Sequence, residues 1–214
     1  MMDPNKHEER SKLFKRSLKL LNRANSYAMR ALKVKYPTLK VQIENKTNKE
    51  IAVAIESFPF IKEDIQTLYF AAASFAGTIL SSRGDTHYVV KLPIVSALLR
   101  KSLSLDPDWN DGALHTAMIS LVLQDLTKTK DQKKEQAIVY FHRAVMASNG
   151  NDCNPYVSLA ENLSKQEQDK KAFLELINKA LKVDTDKHFK NRLSNVLCQR
   201  KALWLRKNID ALFI

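Results

Sequence analysis

At 214 residues, 44% of them hydrophobic, the chain is long enough to bury a core without metal or disulfide staples, and it reads as one domain over 1–214. Only 4 Gly and 6 Pro leave little material for tight turns or linkers, which excludes a low-complexity chain and favours long helices joined by short loops. The formal net charge of +12 matters through its placement, since only a concentrated patch makes a strong field.

In chain order, Leu13, Leu18, Leu21, Ala24, Ala28, Ala31 and Leu32 recur at helical spacing and predict a first long helix from about Glu8 to Tyr36. Lys12, Lys15, Arg16, Lys19, Arg23 and Arg30 avoid that stripe and read as a solvated face first and a dock for an acidic partner second. Pro37 breaks the chain, and short helices follow at about Leu39–Asn45 and, capped by Thr47 or Asn48, to about Ile55. Ser57-Phe58-Pro59-Phe60 breaks it again. Lys62–Ser81 predicts the most apolar helix, whose small residues Ala71, Ala72, Ala73 and Ser74 admit neighbours closely and place it at the centre of the core. Helices are then expected at Thr86–Leu105, kinked at Pro93, and at Trp109–Leu126, Lys130–Ser148, Asn154–Lys165, Gln168–Val183 and Lys187–Arg206.

A faint internal repeat runs through these helices. A small residue follows a large one by three positions at Leu99/Ser102, Phe141/Ala144 and Ile177/Ala180, with Ala31 as an earlier small position. The small positions are separated by 71, 42 and 36 residues, near multiples of the ~34-residue tetratricopeptide period, with insertions such as Leu126–Lys134 absorbing the excess. The expected fold is therefore all-α, an α-α superhelix of degenerate tetratricopeptide-like helix pairs, with a generic helical bundle as the alternative.

Reacting groups are not legible in this pattern. The five histidines occur singly, the four glycines are isolated, and no phosphate-cradling loop, nucleophile elbow or metal-ligand spacing is present, so no catalytic residue, cofactor or metal is expected. No nucleic-acid module accompanies the basic ends, and no segment approaches the ~18 apolar residues that a membrane span needs. Cys153 and Cys198 read as two separate buried thiols, or as one disulfide if the compartment is oxidising. The opening Met1-Met2-Asp3-Pro4-Asn5 fits a native start or the remnant of a removed leader equally well. Tyr69, Phe70, Phe75, Trp109, Trp204 and Phe213 read first as core aromatics. Tyr69, Phe70 and Trp109 are the candidates for a ligand- or partner-facing surface.

Three stretches resemble the TRAP transporter T component (TatT) family, accessory proteins of tripartite ATP-independent periplasmic transporters. They are LYFAAASFAGTI (Leu68–Ile79), VSLAENLSKQEQDKKAFLELINKALKVD (Val157–Asp184) and NVLCQRKALWLRKNIDALF (Asn195–Phe213). The resemblance implies a periplasmic, often lipid-anchored helical protein without an active site. It implies association with the transporter's solute-binding P component, a place for a small hydrophobic ligand, and the ability to form a trimer. The expected function is thus a non-enzymatic scaffold of a TRAP-type uptake system; the alternative is a cytosolic repeat adaptor that binds peptides or protein termini.

Overall fold

A computed structural model of the protein describes residues 4–125 and 127–213. Met1, Met2 and Asp3 of the opening segment, and Leu126, where the helix from Trp109 is expected to end, lie outside the described residues. The described residues form an all-α chain with no strand among them. It divides into two compact units, 1–106 and 107–214.

In the first unit, α1 (Pro4–Lys35) packs on α4 (Ile65–Ser81), α4 on α6 (Leu92–Leu105), and α6 on α3 (Asn48–Ser57), while α2 (Pro37–Ile43) touches both α1 and α3. Pro37 opens α2 instead of merely ending α1, because the first turn of a helix needs no amide donor there. Thr47 caps α3 through a reciprocal pair: its hydroxyl accepts from the Glu50 amide at 3.3 Å, and Glu50 accepts from the Thr47 amide at 2.8 Å. The segment Thr86–Leu105 is not one kinked helix. It divides into α5 (Thr86–Val89) and α6, with Pro93 in the first turn of the latter, where proline costs no hydrogen bond.

The basic face of α1 is solvent-exposed as expected, and the inner face keeps part of the predicted stripe: Leu32 is buried, and Leu18, Leu21 and Ala28 are half-buried. Leu13, Ala24 and Ala31 are exposed. The face toward α4 and α5 includes Ser17, Asn22 and Asn25, which bond Ser81 at 3.0 Å, Tyr88 at 3.3 Å and Ser74 at 3.3 Å. A helix–helix contact closed partly by polar pairs hides from a hydrophobic-period reading. On α4, Leu68, Ala71, Ala72 and Phe75 are buried as the pattern requires, whereas Ala73 and Phe70 face outward.

In the second unit, α7 (Trp109–Leu123) packs along α8 (Lys130–Ala147), and α9 (Asn154–Leu159) runs through one π-turn at Ala160–Ser164. Next come α10 (Lys170–Leu181) and α11 (Arg192–Lys207), the latter entered by a 3-10 turn at Phe189–Asn191. The repeat positions have a physical role in both units. Ser102, Ala144 and Ala180 are each 0% exposed, and beside Ala144 the helices α7 and α8 approach so closely that a Cβ on Gly112 would meet Ala144 Cα at 3.1 Å. Ala31, exposed on α1, does not share that role.

Cys153 and Cys198 form a disulfide, with Cα atoms 6.0 Å apart. Spacing favours separate thiols because the two lie 45 positions apart; the fold brings α11 against the start of α9. Asn195, fully buried, reinforces the same junction by accepting from the Cys153 amide at 2.9 Å and donating to the Asn151 carbonyl at 2.8 Å.

Candidate functional site

Five helices of the first unit border an open cleft of about 490 Å³, within the range of small-molecule sites. Its apolar lining comes from Met29 on α1, Ile43 on α2, Ile51 on α3, Phe75 on α4 and Ile94 on α6. Ile43, Phe75 and Ile94 are buried, so these walls are set by the same contacts that hold the unit together. The polar part lies along α1, where Asn25, Ser26, Met29, Arg30 and Lys33 follow each other at the spacing of one helical face.

The polar groups differ in availability. Asn25 Nδ2 donates to Ser74 at 3.3 Å, and Ser26 Oγ donates to the Asn22 carbonyl at 3.0 Å, so both side chains already serve the scaffold. The Arg30 guanidinium lies 4.8 Å from the centre of the Tyr27 ring and the Arg23 guanidinium 5.6 Å from it. That ring steadies Arg30 at the cleft, leaving it and Lys33 to supply positive potential. The cleft, open to solvent, thus sets amide, hydroxyl and cationic groups along α1 against apolar side chains from five helices.

Beyond the first end of α4 lies a charged node. Asp64, 3% exposed, accepts from Lys35 Nζ at 2.6 Å, Tyr36 OH at 2.6 Å and the Ile61 amide at 2.9 Å. Burial pushes its carboxyl up, but these donors outweigh that and hold it below the ordinary carboxylate value. Burial and the Asp64 carboxylate push the Tyr36 phenol up, and the hydrogen bond to Asp64 raises Lys35. Tyr36 also meets Phe58 and Phe60 edge-on, at 5.1 and 5.5 Å between ring centres. The node is architectural, joining the end of α1 to the start of α4.

In the second unit His115 is 3% exposed, and its Nδ1 has no hydrogen-bond partner among the described residues. Burial, then the charge of Arg143, lower its pKa, which keeps the imidazole neutral at pH 7. It lies 5.9 Å from the Tyr140 ring. Among the described residues no group of three or more His, Cys, Asp or Glu side chains could hold a metal ion.

The residues singled out from sequence fall elsewhere. Tyr69 and Phe70 meet edge-on at 5.5 Å, Tyr69 half-buried and Phe70 55% exposed, on α4 but outside the cleft lining. Trp109 is half-buried at the start of α7, in the second unit. Only Phe75, read as core, reaches the cleft. The α1 wall was missed because its face mixes polar and apolar residues; the signal that could have found it is the i, i+4, i+8 run of Asn25, Met29 and Lys33.

A sequence model of the TRAP transporter T-component family, TAtT, matches residues 1–213. A Treponema pallidum (strain Nichols) protein described as uncharacterized is 22% identical over 212 residues, covering 97% of this chain. The chain spans about 63% of the length of that curated relative. Among the described residues no helix is long and apolar enough to cross a membrane. With the family's model matched over nearly every residue, the chain belongs to the TRAP transporter T-component family, a family of transporter accessory components.

Proposed function

We propose that the protein is a non-enzymatic scaffold of a TRAP-type uptake system, working in the periplasm, where it docks the solute-binding P component and accommodates a small hydrophobic ligand. The observation that carries this reading is the family match over residues 1–213. The cleft supports the ligand half: five apolar side chains converge there from five helices. The Cys153–Cys198 disulfide supports the compartment, since disulfides persist in oxidising surroundings such as the periplasm and are rare in the cytosol. Tyr69, Phe70 and Trp109 stay the candidates for partner contact, with the exposed Phe70 ring the most available of them. A trimer would present several such surfaces at once.

The test is co-purification of the chain with a TRAP-type P component from the same organism, followed by calorimetry on the purified pair. A complex whose affinity drops on Phe70→Ala supports the reading. Failure of the two purified proteins to associate at micromolar concentration, with only cytosolic partners recovered from cells, would sink it.

A further inference from the structure

Helix α11 presents two unlike faces. Asn195, Cys198, Ala202 and Leu205 are buried toward the rest of the second unit. On the far side Leu193, Leu197 and Trp204 fall within roughly 40° of one another at 3.6 residues per turn. They are 72%, 55% and 58% exposed, and Phe189, in the turn leading into the helix, is 86% exposed. A solvated helix ordinarily puts polar residues on that side. Scattered exposed apolar residues need no explanation, but three aligned along one ridge, with a fourth exposed in the turn before it, do.

The charge carried by the segment itself is of one sign. Residues 187–207 contain seven Lys and Arg and no Asp or Glu. Lys190 and Arg192 pair with Asp111 and Asp186, and Lys201 with Glu161. Arg200 and Lys207, exposed along one border of the ridge, have no carboxylate partner among the described residues.

We propose that the outward ridge of α11, Phe189, Leu193, Leu197 and Trp204 bordered by Arg200 and Lys207, docks on an anionic lipid surface. Aromatic and leucine side chains enter the headgroup boundary while long cationic side chains reach lipid phosphates, the arrangement of an interfacial helix. Tryptophan suits that depth because its ring is apolar and its indole N–H can meet the polar layer. A second copy of this chain fits poorly, since pairing ridge to ridge would bring the same cations together. An acidic protein would need a groove shaped to a convex ridge, whereas a bilayer surface accommodates any ridge of this size. This contact is separate from docking of the P component, so either can fail alone.

The test floats the full chain on vesicles of phosphatidylcholine alone and of equal parts phosphatidylcholine and phosphatidylglycerol. A Trp109→Phe version leaves Trp204 as the sole indole reporter. Expected are flotation with the anionic vesicles only, a blue shift of Trp204 emission on adding them, and weakening by salt. The double variant Leu193→Glu/Leu197→Glu should lower the partition coefficient about tenfold or more, as should Arg200→Glu/Lys207→Glu. All four substituted positions are exposed, and unchanged far-UV dichroism would establish that each variant is folded. No flotation with anionic vesicles overturns the proposal. So does flotation that both variants leave intact, which would place the lipid contact elsewhere, and so does a ridge that captures an acidic protein or a second copy while vesicles stay unbound.

Discussion

The two units solve the same problem, fastening helix ends that lie far apart in sequence, by different chemistry. In the first, the end of α1 is held to the start of α4 by Lys35 and Tyr36 converging on the buried Asp64. In the second, the start of α9 is held to α11 by the Cys153–Cys198 bond and by Asn195. One fastening depends on ionisation and the other on oxidation. The difference teaches that one all-α chain can take its stability from two independent solution variables. Both tryptophans, Trp109 and Trp204, lie in the second unit, so indole emission reports on that unit while far-UV dichroism reports on both.

The sharpest way to break the comparison is to open the disulfide. Closing a loop between residues 45 apart should stabilise the fold by about 4 kcal/mol through the entropy removed from the unfolded chain. Reduction, or Cys153→Ser with Cys198→Ser, should therefore lower the tryptophan-reported melting midpoint by roughly 15 °C or more. A midpoint that ignores reductant would show that Asn195 and the helix contacts carry the junction unaided.

Next in size is the α7–α8 approach. Gly112 has φ +82°, and an added Cβ would meet Ala147 Cβ at 2.9 Å and the Ala144 carbonyl at 3.2 Å, atoms that backbone rigidity keeps in place. Gly112→Ala should cost about 3 kcal/mol, combining left-handed strain with overpacking. Gly84→Ala in the first unit isolates the strain alone, since Gly84 has φ +92° and open space around it; about 1 kcal/mol is expected. Equal losses in chemical denaturation of the two variants would mean that the close approach contributes nothing.

Gly112 also shows where sequence reading stopped. The small positions Ser102, Ala144 and Ala180 were legible because a local rule, small three after large, needs no knowledge of the partner helix. What fills the space opposite each was not, and Gly112 gives no signal until α7 is laid on α8. The helices themselves were legible from capping residues, prolines and periodicity, apart from the division at Val90–Lys91. The Asp64 node was invisible because it joins residues distant in sequence, and for the same reason the disulfide was open only as the alternative to two separate thiols. Trp204 misled in the opposite sense, since an aromatic in a helical pattern suggests core, and only the packing of α11 shows the ring 58% exposed. The cleft draws on five helices, so no single segment could announce it.

The smallest of these effects is the one that separates the units by pH. Asp64 titrates below its ordinary 3.8 when folded, so its contribution is complete above that value and is lost as the pH falls through the folded pKa. Glu50, lowered by the Thr47 amide and hydroxyl, acts in the same sense in the same unit. In the second unit Asp152 runs the other way: burial pushes its carboxyl up against the donors of Asn154, so it favours the folded state increasingly as the pH drops. Asp125, held at about 2 by Thr127, opposes that gain only further into the acid range. Acidification through about pH 4.5 to 3.8 should therefore begin to weaken the first unit through Glu50 while the tryptophan-reported transition holds or rises through Asp152, and only below about pH 3.8 should Asp64 be lost from the first unit and Asp125 from the second. Asp64→Asn should cost about 2 kcal/mol at neutral pH, because an amide nitrogen replaces one carboxylate oxygen facing three donors. The same change should flatten the acid slope of the dichroism midpoint. A variant whose slope matches the wild type would move the acid sensitivity away from Asp64, leaving the node a purely geometric fastening.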